Sequence, residues 1–409
     1  MYRPISLKRT VYGDGTSRLI CGSVMKLPTE IRELAGQVQC VYVDPPFMTG
    51  KSFQRKRCYG EKGWRKGSPV LSLPGFEDSF ENERDHLRLL RRLVQAGADL
   101  LAPTGVFCLH LDWRMSARAR ILCDRVFGPE RFLNEIIWSY ESGGRSRRYF
   151  PRKHDTILMY GKSANTRFDL TRLPLPRRET RKNHMARGID ENGRTYSSIT
   201  SHGKEYRYYD DEPVYPGDVW TDIGFLQQRD PERTGYATQK PLKLLDRLLR
   251  PVVEEGDWVA DLCCGSGTTL AAAQALGCRF AGLDLSPAAV SVSLARLAPE
   301  DLTVICPCAE TDAEFLTEYR SETRRLHILG LRVPQEEALS GLSPENALES
   351  WEPGRIERGV FYPEKTYRRS FRYPALIDSL QLAPEDVPRA VLATDAAGGR
   401  HAFEWVADE

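Results

Sequence analysis

Short apolar runs alternate along this sequence with longer segments whose apolar residues recur at helical spacing. The short runs are rich in β-branched and aromatic residues and are predicted strands: residues 18–22, 40–44, 105–111, 135–140, 155–161, 258–264 and 280–285. The longer segments are predicted helices: residues 84–102, 115–128, 239–256 and 267–278. Because parallel strands need a long crossover connection, usually a helix, this alternation predicts an α/β fold with a mainly parallel sheet.

Two stretches interrupt the alternation and a third ends it. Residues 48–80 are rich in Gly, Lys and Arg without periodicity, which predicts a long loop beside a functional site. Residues 162–236 are polar, basic and Tyr-rich, which favours an inserted region that reads a substrate. After about residue 300 the chain becomes acidic and rich in proline, so we expect a separate small α+β domain whose final hairpin turns at residues 396–399.

Composition narrows the class of protein. The chain has 409 residues, of which 41% are hydrophobic and 28% charged, and it lacks both the roughly 18-residue apolar run of a membrane span and the apolar core of a signal peptide. We therefore expect a cytoplasmic protein. The ten cysteines do not form paired CxxC units, so we expect reduced thiols and no bound metal.

Charge is distributed unevenly along the chain. Residues 300–409 hold 12 basic and 21 acidic residues, against 46 and 35 in residues 1–299. Much of the basic excess lies in residues 141–210, with 16 basic and 8 acidic residues. A basic region beside an acidic one indicates an anionic polymer as partner for the basic part, with a merely solvated charged surface as the alternative.

A glycine turn follows one predicted strand and an acid ends the next. Asp261 precedes Gly265-Ser266-Gly267, where the chain passes from strand to helix, and Asp284 ends the following strand. Glycines let the backbone approach a ligand closely, and an acid at the second position binds ribose hydroxyls in nucleotide-binding sheets. The third glycine of a dinucleotide motif and the GxxxxGK[ST] phosphate loop are both absent, so S-adenosylmethionine, which has a ribose but no phosphate, fits better.

The stretch VYVDPPFMTG, residues 41–50, places a carboxylate, two prolines and an aromatic ring at a strand end. An exocyclic amino group on a nucleobase is a poor nucleophile, because its lone pair is delocalised into the ring. Asp44 and the carbonyl of Pro45 are predicted to accept its N–H groups, with Pro46 fixing their direction and Phe47 stacking on the flipped base. The alternative is a Pro-Pro turn that merely ends an edge strand.

Five segments in one order resemble the amino-methylating DNA methyltransferases of the circularly permuted β group, over roughly residues 17–297. They are DPPF; GVFCLHLDWR with FGPERFLNEIIWSY and PRKHDTILMYGKS; VWTDI with GYATQKPLKLLDRLL; VADLCCGSGTTLAAA; and GLDLSP. The resemblance implies a Rossmann-like S-adenosylmethionine-dependent methyltransferase fold and methyl transfer to adenine N6 or cytosine N4 in double-stranded DNA. Asp at the first motif position is usual for the adenine enzymes, so adenine is favoured.

The resemblance also implies a division of the chain and roles for its residues. The catalytic half is residues 1–161, the target-recognition region 162–236, the cofactor half 237–299 and the accessory domain 300–409. The residues implied to bind the cofactor are Gly22, Ser23, Thr238, Lys240, Asp261, Cys263, Gly265, Ser266, Gly267, Thr268 and Asp284. It places His110 and Asp112 at a strand end away from methyl transfer.

Three positions depart from the family pattern. Leu262 and Cys263 stand where Pro and Phe are usual, and Ser23 stands where Asp is frequent. These departures predict an altered cofactor pocket, and they leave a non-catalytic DNA-binding or scaffold subunit open as an alternative. Methylation of RNA or of a protein amide is a second alternative.

Contacts with DNA are predicted on both sides of the motif. The residues expected to grip phosphates are Lys51, Arg55, Arg145, Arg147, Arg148, Arg152 and Lys153. A solvated surface role is the alternative for each of them. For the acidic residues 300–409 we expect a homodimer surface or a contact with another subunit of a restriction or defence assembly.

Overall fold

The computed structural model describes residues 2–58, 70–140, 146–175, 185–227, 230–297, 300–308, 312–320, 322–334, 336–368, 379–381 and 387–406. The strands of these residues, in chain order, are β1 (Tyr2–Ile5), β2 (Arg9–Tyr12), β3 (Ser17–Cys21), β4 (Val38–Val43), β5 (Lys51–Cys58), β6 (Val70–Asp78), β7 (Leu101–Leu111), β8 (Phe132–Ser139), β9 (His154–Gly161), β10 (Ala186–Ile189), β11 (Thr195–Ser201), β12 (Lys204–Tyr209), β13 (Val219–Trp220), β14 (Trp258–Asp261), β15 (Arg279–Asp284), β16 (Leu302–Ile305), β17 (Glu314–Arg320), β18 (Arg325–Arg332), β19 (Leu348–Glu357), β20 (Val360–Pro363), β21 (Tyr367–Arg368), β22 (Ser379–Gln381), β23 (Ala390–Asp395) and β24 (Arg400–Trp405). The α-helices are α1 (Thr29–Arg32), α2 (Glu83–Leu100), α3 (Ser116–Phe127), α4 (Leu242–Leu249), α5 (Thr268–Ala275), α6 (Pro287–Leu297) and α7 (Pro344–Ala347).

One long sheet organises the molecule, in the order β1-β24-β23-β19-β20-β2-β16-β3-β15-β14-β4-β7-β9-β8-β13. Its middle, from β16 through β3, β15, β14 and β4 to β7, is parallel throughout. Every strand predicted from the sequence is present, and each predicted helical segment contains a helix, so the α/β prediction is confirmed; α1, α6 and α7 lie outside the predicted segments. Parallel strands end at a common edge, which brings the carboxyl ends of β3, β15, β14, β4 and β7 together.

Helices cover both faces of the parallel strands. Along β4 the side chains alternate between the two cores, Val41 and Val43 packing with α2 and α3, and Cys40 and Tyr42 with α4, α5 and α6. A central strand buried on both faces reads as a continuous apolar run, which is how residues 38–43 stand in the sequence. Helix α2 begins at an Asn82 cap, whose side chain accepts a hydrogen bond from the Asp85 amide at 3.1 Å.

Residues 48–80 are not a plain loop, contrary to the prediction. Strands β5 and β6 form an antiparallel hairpin that pairs Lys51 with Asp78 and Cys58 with Val70. Arg55 on β5 is 4% exposed and donates from Nη2 to the Ala396 carbonyl at 2.8 Å. The prediction that Arg55 contacts DNA phosphate is therefore wrong, because its guanidinium is buried against the turn of the C-terminal hairpin.

The region predicted as an insertion contains a three-stranded antiparallel unit, β10-β11-β12. Most of β12 is exposed on both faces. The region ends earlier than expected, however, because β13 returns to the long sheet and pairs in parallel with β8.

The acidic C-terminal region continues the long sheet. Strand β16 lies between β2 and β3, so the sheet continues past the boundary predicted at residue 300. Beyond it, β20 pairs with β2 and β24 pairs with β1 at the N-terminus. The final hairpin is present as predicted, with β23 and β24 joined across residues 396–399. Strands β19 and β21 also belong to the long sheet, whereas β17, β18 and β22 form a separate small sheet.

Gly97 on α2 provides a test of the packing of this helix on the sheet. A Cβ built at Gly97 would lie 2.4 Å from Cε2 of Phe107, which is fully buried. Overpacking costs about 1–3 kcal/mol and outweighs the gain of up to about 1 kcal/mol from replacing a helical glycine. Gly97→Ala should therefore lower the free energy of unfolding by about 1–2 kcal/mol in urea titrations.

Gly224→Ala is the matched control, because a Cβ at Gly224 meets nothing within 4 Å. Equal unfolding midpoints for the two variants would contradict the described contact between α2 and β7.

Candidate functional site

A cavity of about 480 Å³ opens at the carboxyl edge of the parallel strands. The predicted site residues that line it are Gly22, Ser23, Asp44, Pro45, Pro46, Phe47, Thr238, Lys240, Asp261, Cys263, Gly265, Ser266, Thr268 and Asp284. Gly267 lies behind this lining, where a Cβ would come within 2.7 Å of Ser293 Oγ. The structure thus brings together residues from separate parts of the sequence, as the prediction required.

The glycine turn is built around the carboxylate of Asp284. Gly265 and Gly267 have φ of +49° and +71°, a region that favours glycine. The Gly265 amide donates to Asp284 Oδ2 at 2.8 Å, and the Ser286 amide donates to Oδ1 at 2.9 Å. Burial raises the pKa of Asp284, while these two backbone donors lower it. A carboxylate has about four acceptor sites, so Asp284 retains capacity for a ligand hydroxyl.

Asp261 lies beneath the same turn. It is 2% exposed and accepts a hydrogen bond from the Cys263 amide at 3.0 Å. Burial raises its pKa to about 7, against the opposing effect of hydrogen bonds from Thr269 and the Cys263 amide, and the nearby charge of Asp44 raises it further. Asp261 therefore titrates near neutral pH.

Asp44 stands directly after β4 and forms an ion pair with Lys240. The Lys240 Nζ lies 2.6 Å from Asp44 Oδ2 and 5.0 Å from the centroid of the Phe47 ring. The other oxygen, Asp44 Oδ1, is buried and has no hydrogen-bond partner among the described residues. A buried, unpartnered carboxylate oxygen in a cavity is costly unless a ligand satisfies it. The sequence placed Lys240 beside the cofactor, and the structure adds this contact with the motif.

Residues of α5 and α6 hold the segment that carries Lys240 in place. Thr268 Oγ1 donates to the Lys240 carbonyl at 3.2 Å and accepts from Arg296 at 2.9 Å. Arg296 also pairs with Glu232 at 2.8 Å. Helix α5 begins at Thr268, and its N-cap residue, Gly267, makes no side-chain cap hydrogen bond.

His86 is a site residue that the sequence analysis missed. It is fully buried on α2, and its Nε2 lies 2.7 Å from the Pro46 carbonyl. Burial lowers the pKa of His86, so the ring is neutral near pH 7 and Nε2–H is the donor. A lone His in an amphipathic helix carries no such signal in the sequence, because its partner lies 40 positions away.

The β5–β6 hairpin covers part of the cavity. Asp78 accepts hydrogen bonds from the amides of Met48 and Thr49 at 2.7 and 3.0 Å, which ties the hairpin to the DPPF segment. Phe76 stacks between Phe53 at 4.9 Å and Tyr236 at 6.2 Å. Residues 48–80 were predicted to lie beside the site, and they contribute the aromatic rings of Phe53 and Phe76 to the cavity wall.

A buried polar chain lies on the other side of Phe47. Tyr42 Oη is 2.7 Å from His110 Nδ1, and His110 Nε2 is 3.2 Å from Asp155 Oδ2. Although burial raises the pKa of Asp155, the hydrogen bond and charge of His110 hold it below its usual value. The Phe47 and His110 rings are 6.0 Å apart, so His110 lies closer to the motif than the sequence indicated.

The predicted phosphate contacts differ in accessibility. Arg147, Arg148, Arg152 and Lys51 are exposed, and Lys153 is half-buried. Arg152 stacks on Trp113, with its guanidinium carbon 3.7 Å from the ring centroid. Arg145 lies outside the described residues.

Comparison with known proteins identifies the family. A family model described as DNA methylase matches residues 38–295, which include both the DPPF motif and the glycine turn. The chain belongs to this DNA methylase family. The family predicted from the sequence is thereby confirmed.

Relatives within this DNA methylase family are similar over most of the chain. The type II methyltransferase M2.DpnII of Streptococcus pneumoniae is 39% identical over 311 residues, which cover 74% of this chain and 97% of that protein. The type II methyltransferase M.EcaI of Enterobacter cloacae is 23% identical over 310 residues, which cover 64% of this chain and 65% of that protein. The solved structure of a DNA modification methylase from Thermus thermophilus in complex with S-adenosyl-L-methionine is 20% identical with a TM-score of 0.41, covering 71% of this chain and 98% of that one.

Two further properties concern the described part of the chain. None of its helices has both the length and the apolarity needed to cross a membrane. Among the same residues, His, Cys, Asp and Glu side chains form no group of three or more suited to a metal ion.

The raised pKa of Asp261 predicts a pH-dependent stability. The folded protein holds the Asp261 proton more tightly than the unfolded chain, so this stabilisation is full below the unfolded pKa of about 4 and is lost as the pH rises through about 7. Between pH 5 and 8, the unfolding free energy of the natural protein relative to Asp261→Asn should fall by on the order of 2–3 kcal/mol.

Urea titrations at several pH values measure this difference. Asp14→Asn, which removes an exposed carboxylate by the same chemical change, is the control. Parallel pH profiles for the natural protein and Asp261→Asn would contradict the assignment.

Proposed function

We propose that this protein transfers a methyl group from S-adenosylmethionine to the N6 amino group of adenine in double-stranded DNA. The observation that carries the proposal is the buried, unpartnered Oδ1 of Asp44 in a cavity shared with the glycine turn and Asp284. An acceptor for an amino N–H and a nucleoside-type site therefore open into one space.

Asp44 activates the amino nitrogen. Oδ1 accepts one N–H, which draws the lone pair out of conjugation with the ring, while Lys240 donates to Oδ2 and fixes the orientation of the carboxylate. The Phe47 ring stacks on the flipped base. The hydrogen bond from His86 to the Pro46 carbonyl fixes the peptide that joins Pro46 to Phe47. The nitrogen bonds to the methyl carbon as the carbon–sulfur bond breaks, and it then loses a proton to Asp44 or to water.

The cofactor end fits a nucleoside with a ribose and no phosphate. S-adenosylmethionine supplies, when bound, a methyl group on positively charged sulfur. The Asp284 carboxylate, which lines the cavity with Gly265, would accept hydrogen bonds from the ribose hydroxyls. Leu262 and Cys263, which depart from the family pattern, still present apolar surface to the cavity. The Ser23 hydroxyl accepts from the Met25 amide at 3.2 Å, so it acts mainly within the protein.

Adenine is preferred over cytosine because of the residue at the motif's first position. A carboxylate at residue 44 is typical of the adenine enzymes that the motif order resembles, whereas serine is typical of the cytosine-N4 enzymes. The methylated nucleoside that the protein produces distinguishes the two bases.

We also infer that residues 300–409 form a contact with a second copy of the chain or with a subunit of a restriction or defence assembly. The acidic excess of this region, 21 acidic against 12 basic residues, supports a protein partner rather than DNA phosphate. Light scattering of the full chain with and without DNA is the measurement that bears on it.

Methyl transfer to unmethylated genomic DNA tests the function directly. The natural protein with labelled S-adenosylmethionine should produce N6-methyladenine, identified by mass after digestion to nucleosides. Asp44→Ala should lower the rate at least about 100-fold, since it removes the group that polarises the nucleophile.

Titration calorimetry with S-adenosylmethionine measures cofactor binding separately from methyl transfer. Asp44→Ala should still bind the cofactor, whereas Asp284→Ala should not. N4-methylcytosine as the product would overturn the choice of base. Cofactor and DNA binding without any methylated base would favour a non-catalytic subunit, and preferential labelling of tRNA or protein would refute DNA as substrate.

The exposed pair Arg147 and Arg148 generates a second test. Each phosphate contact contributes a slope of about 0.9 to the dependence of log affinity on log salt concentration. Replacing both by Ala should therefore weaken binding to DNA of any sequence and reduce the slope by about 1.8, measured by fluorescence anisotropy from about 50 to 300 mM salt. Arg187→Ala, which removes an exposed arginine that already pairs with Asp210 at 2.6 Å, is the comparison variant. An unchanged slope for the double variant would exclude the pair from the DNA interface.

A further inference from the structure

The loop between β8 and β9 presents an aromatic side chain to solvent. Phe150 is 95% exposed, and the next most exposed large apolar side chain in the described residues, Leu285, is 73% exposed. Burial of a phenylalanine side chain is favourable, so its exposure in the free protein is unfavourable. The neighbouring Tyr149 is 62% exposed, so two adjacent exposed rings lie among basic residues, and an apolar patch with a polar rim indicates a surface that becomes covered when a partner binds.

The loop is held at its base and ordered near Phe150. The Tyr140 amide donates to the Lys153 carbonyl at 3.0 Å, which closes the loop where the two strands end. Ser146 Oγ accepts hydrogen bonds from the amides of Arg148 and Tyr149, both at 3.3 Å. Pro151 follows Phe150 and restricts its backbone to extended conformations. The exposed ring is thus carried on a constrained segment.

Positive charge surrounds the exposed ring. Arg147 and Arg148 are exposed and make no ion pair among the described residues. The Arg152 guanidinium lies between the rings of Trp113, at 3.7 Å, and Tyr149, at 5.2 Å. This arrangement of arginines about an apolar side chain matches a polyanion that offers stacked rings between its phosphates, which is duplex DNA.

The loop connects physically to the methyl-transfer site. Tyr140, at the loop's first end, donates to Asp155 Oδ1 at 2.9 Å. Asp155 contacts His110, whose ring lies 6.0 Å from that of Phe47. The loop therefore rises from the same sheet edge as the DPPF segment, beside the ring proposed to receive the flipped base.

We propose that Phe150 inserts into the DNA stack and occupies the place of the base that rotates into the cavity. This inference rests on the proposed function and deepens it, because it assigns a residue to the separation of base from duplex. Removing a base from the stack has an energetic cost, and an apolar side chain filling the vacated position recovers part of the lost stacking. Arg147 and Arg148 hold the flanking phosphates while the ring enters.

The test begins with the natural protein, whose methylated sites are mapped in genomic DNA. A synthetic duplex carrying the mapped site is then prepared with the target adenine paired, and again with an abasic position opposite it. Phe150→Ala should lower the single-turnover methylation rate on the paired duplex by about 10-fold or more, in keeping with the worth of an aromatic–base stack. On the abasic duplex the loss should shrink to about threefold or less, since that target is already unpaired. Phe150→Leu should restore most of the rate.

A third duplex reports the flipping step itself. With 2-aminopurine in place of the target adenine, the natural protein should raise its fluorescence on binding, and Phe150→Ala should not, at saturating protein. Ile121→Ala, which truncates a half-exposed isoleucine of α3, should behave as the natural protein. Equal rates for Phe150→Ala and the natural protein on the paired duplex would overturn the proposal. So would equal losses on both duplexes, which would indicate a general DNA contact or a protein-docking role. A natural protein that methylates no DNA would instead refute the proposed function.

Discussion

The ion pair between Asp44 and Lys240 joins two parts of the chain that lie 196 positions apart. The ion pair can form because β4 and β14 are neighbouring strands of the sheet. Asp44 stands at the end of β4, and Lys240 lies in the segment that leads into the helices packed on β14. The pair sets the geometry of the whole cavity. Lys240 holds one carboxylate oxygen, the other is buried without a hydrogen-bond partner among the described residues, and the Phe47 ring lies 5.0 Å from the Lys240 ammonium group. Thr268 and Arg296 transmit the position of α5 and α6 to this contact through the Lys240 carbonyl.

The sequence alone predicted the central sheet and the residues that line the cavity, because both depend on short-range signals. Apolar runs such as residues 38–43 define strands. Turns with glycine, or an acid at the end of a strand, mark the strand ends that carry functional residues. The sequence did not predict individual contacts between two residues that lie far apart in the chain. His86 looks like any residue of an amphipathic helix until Pro46 is placed beside it, and Arg55 looks like a surface arginine until the Ala396 carbonyl is found opposite it. The hairpin of residues 51–78 escaped prediction for a different reason. Its strands carry charges on β5 and a proline and glycine on β6, so they lack the apolar alternation of a half-buried strand.

The two sides of the cavity differ in physical character. On one side the carboxylates of Asp44, Asp261 and Asp284 converge, and burial raises the pKa of the latter two. On the other side Phe53, Phe76 and Tyr236 stack into an aromatic wall. A positively charged sulfonium, an aromatic base and a sugar each find a complementary surface there. The exposed Arg147, Arg148 and Arg152 are not part of this lining.

The strand β16 makes the molecule hard to divide. It enters the sheet between β2 and β3, although it follows them by nearly the whole length of the methylase match. A fragment ending at residue 300 would lose both β16 and β20, the two strands between which β2 lies, and would leave one edge of β3 unpaired. Such edges recruit strands from other molecules, so the shortened chain would aggregate even though it retains every residue of the cavity. Residues beyond the catalytic motifs thus complete the sheet on which those motifs stand, and the stable unit is longer than the functional one.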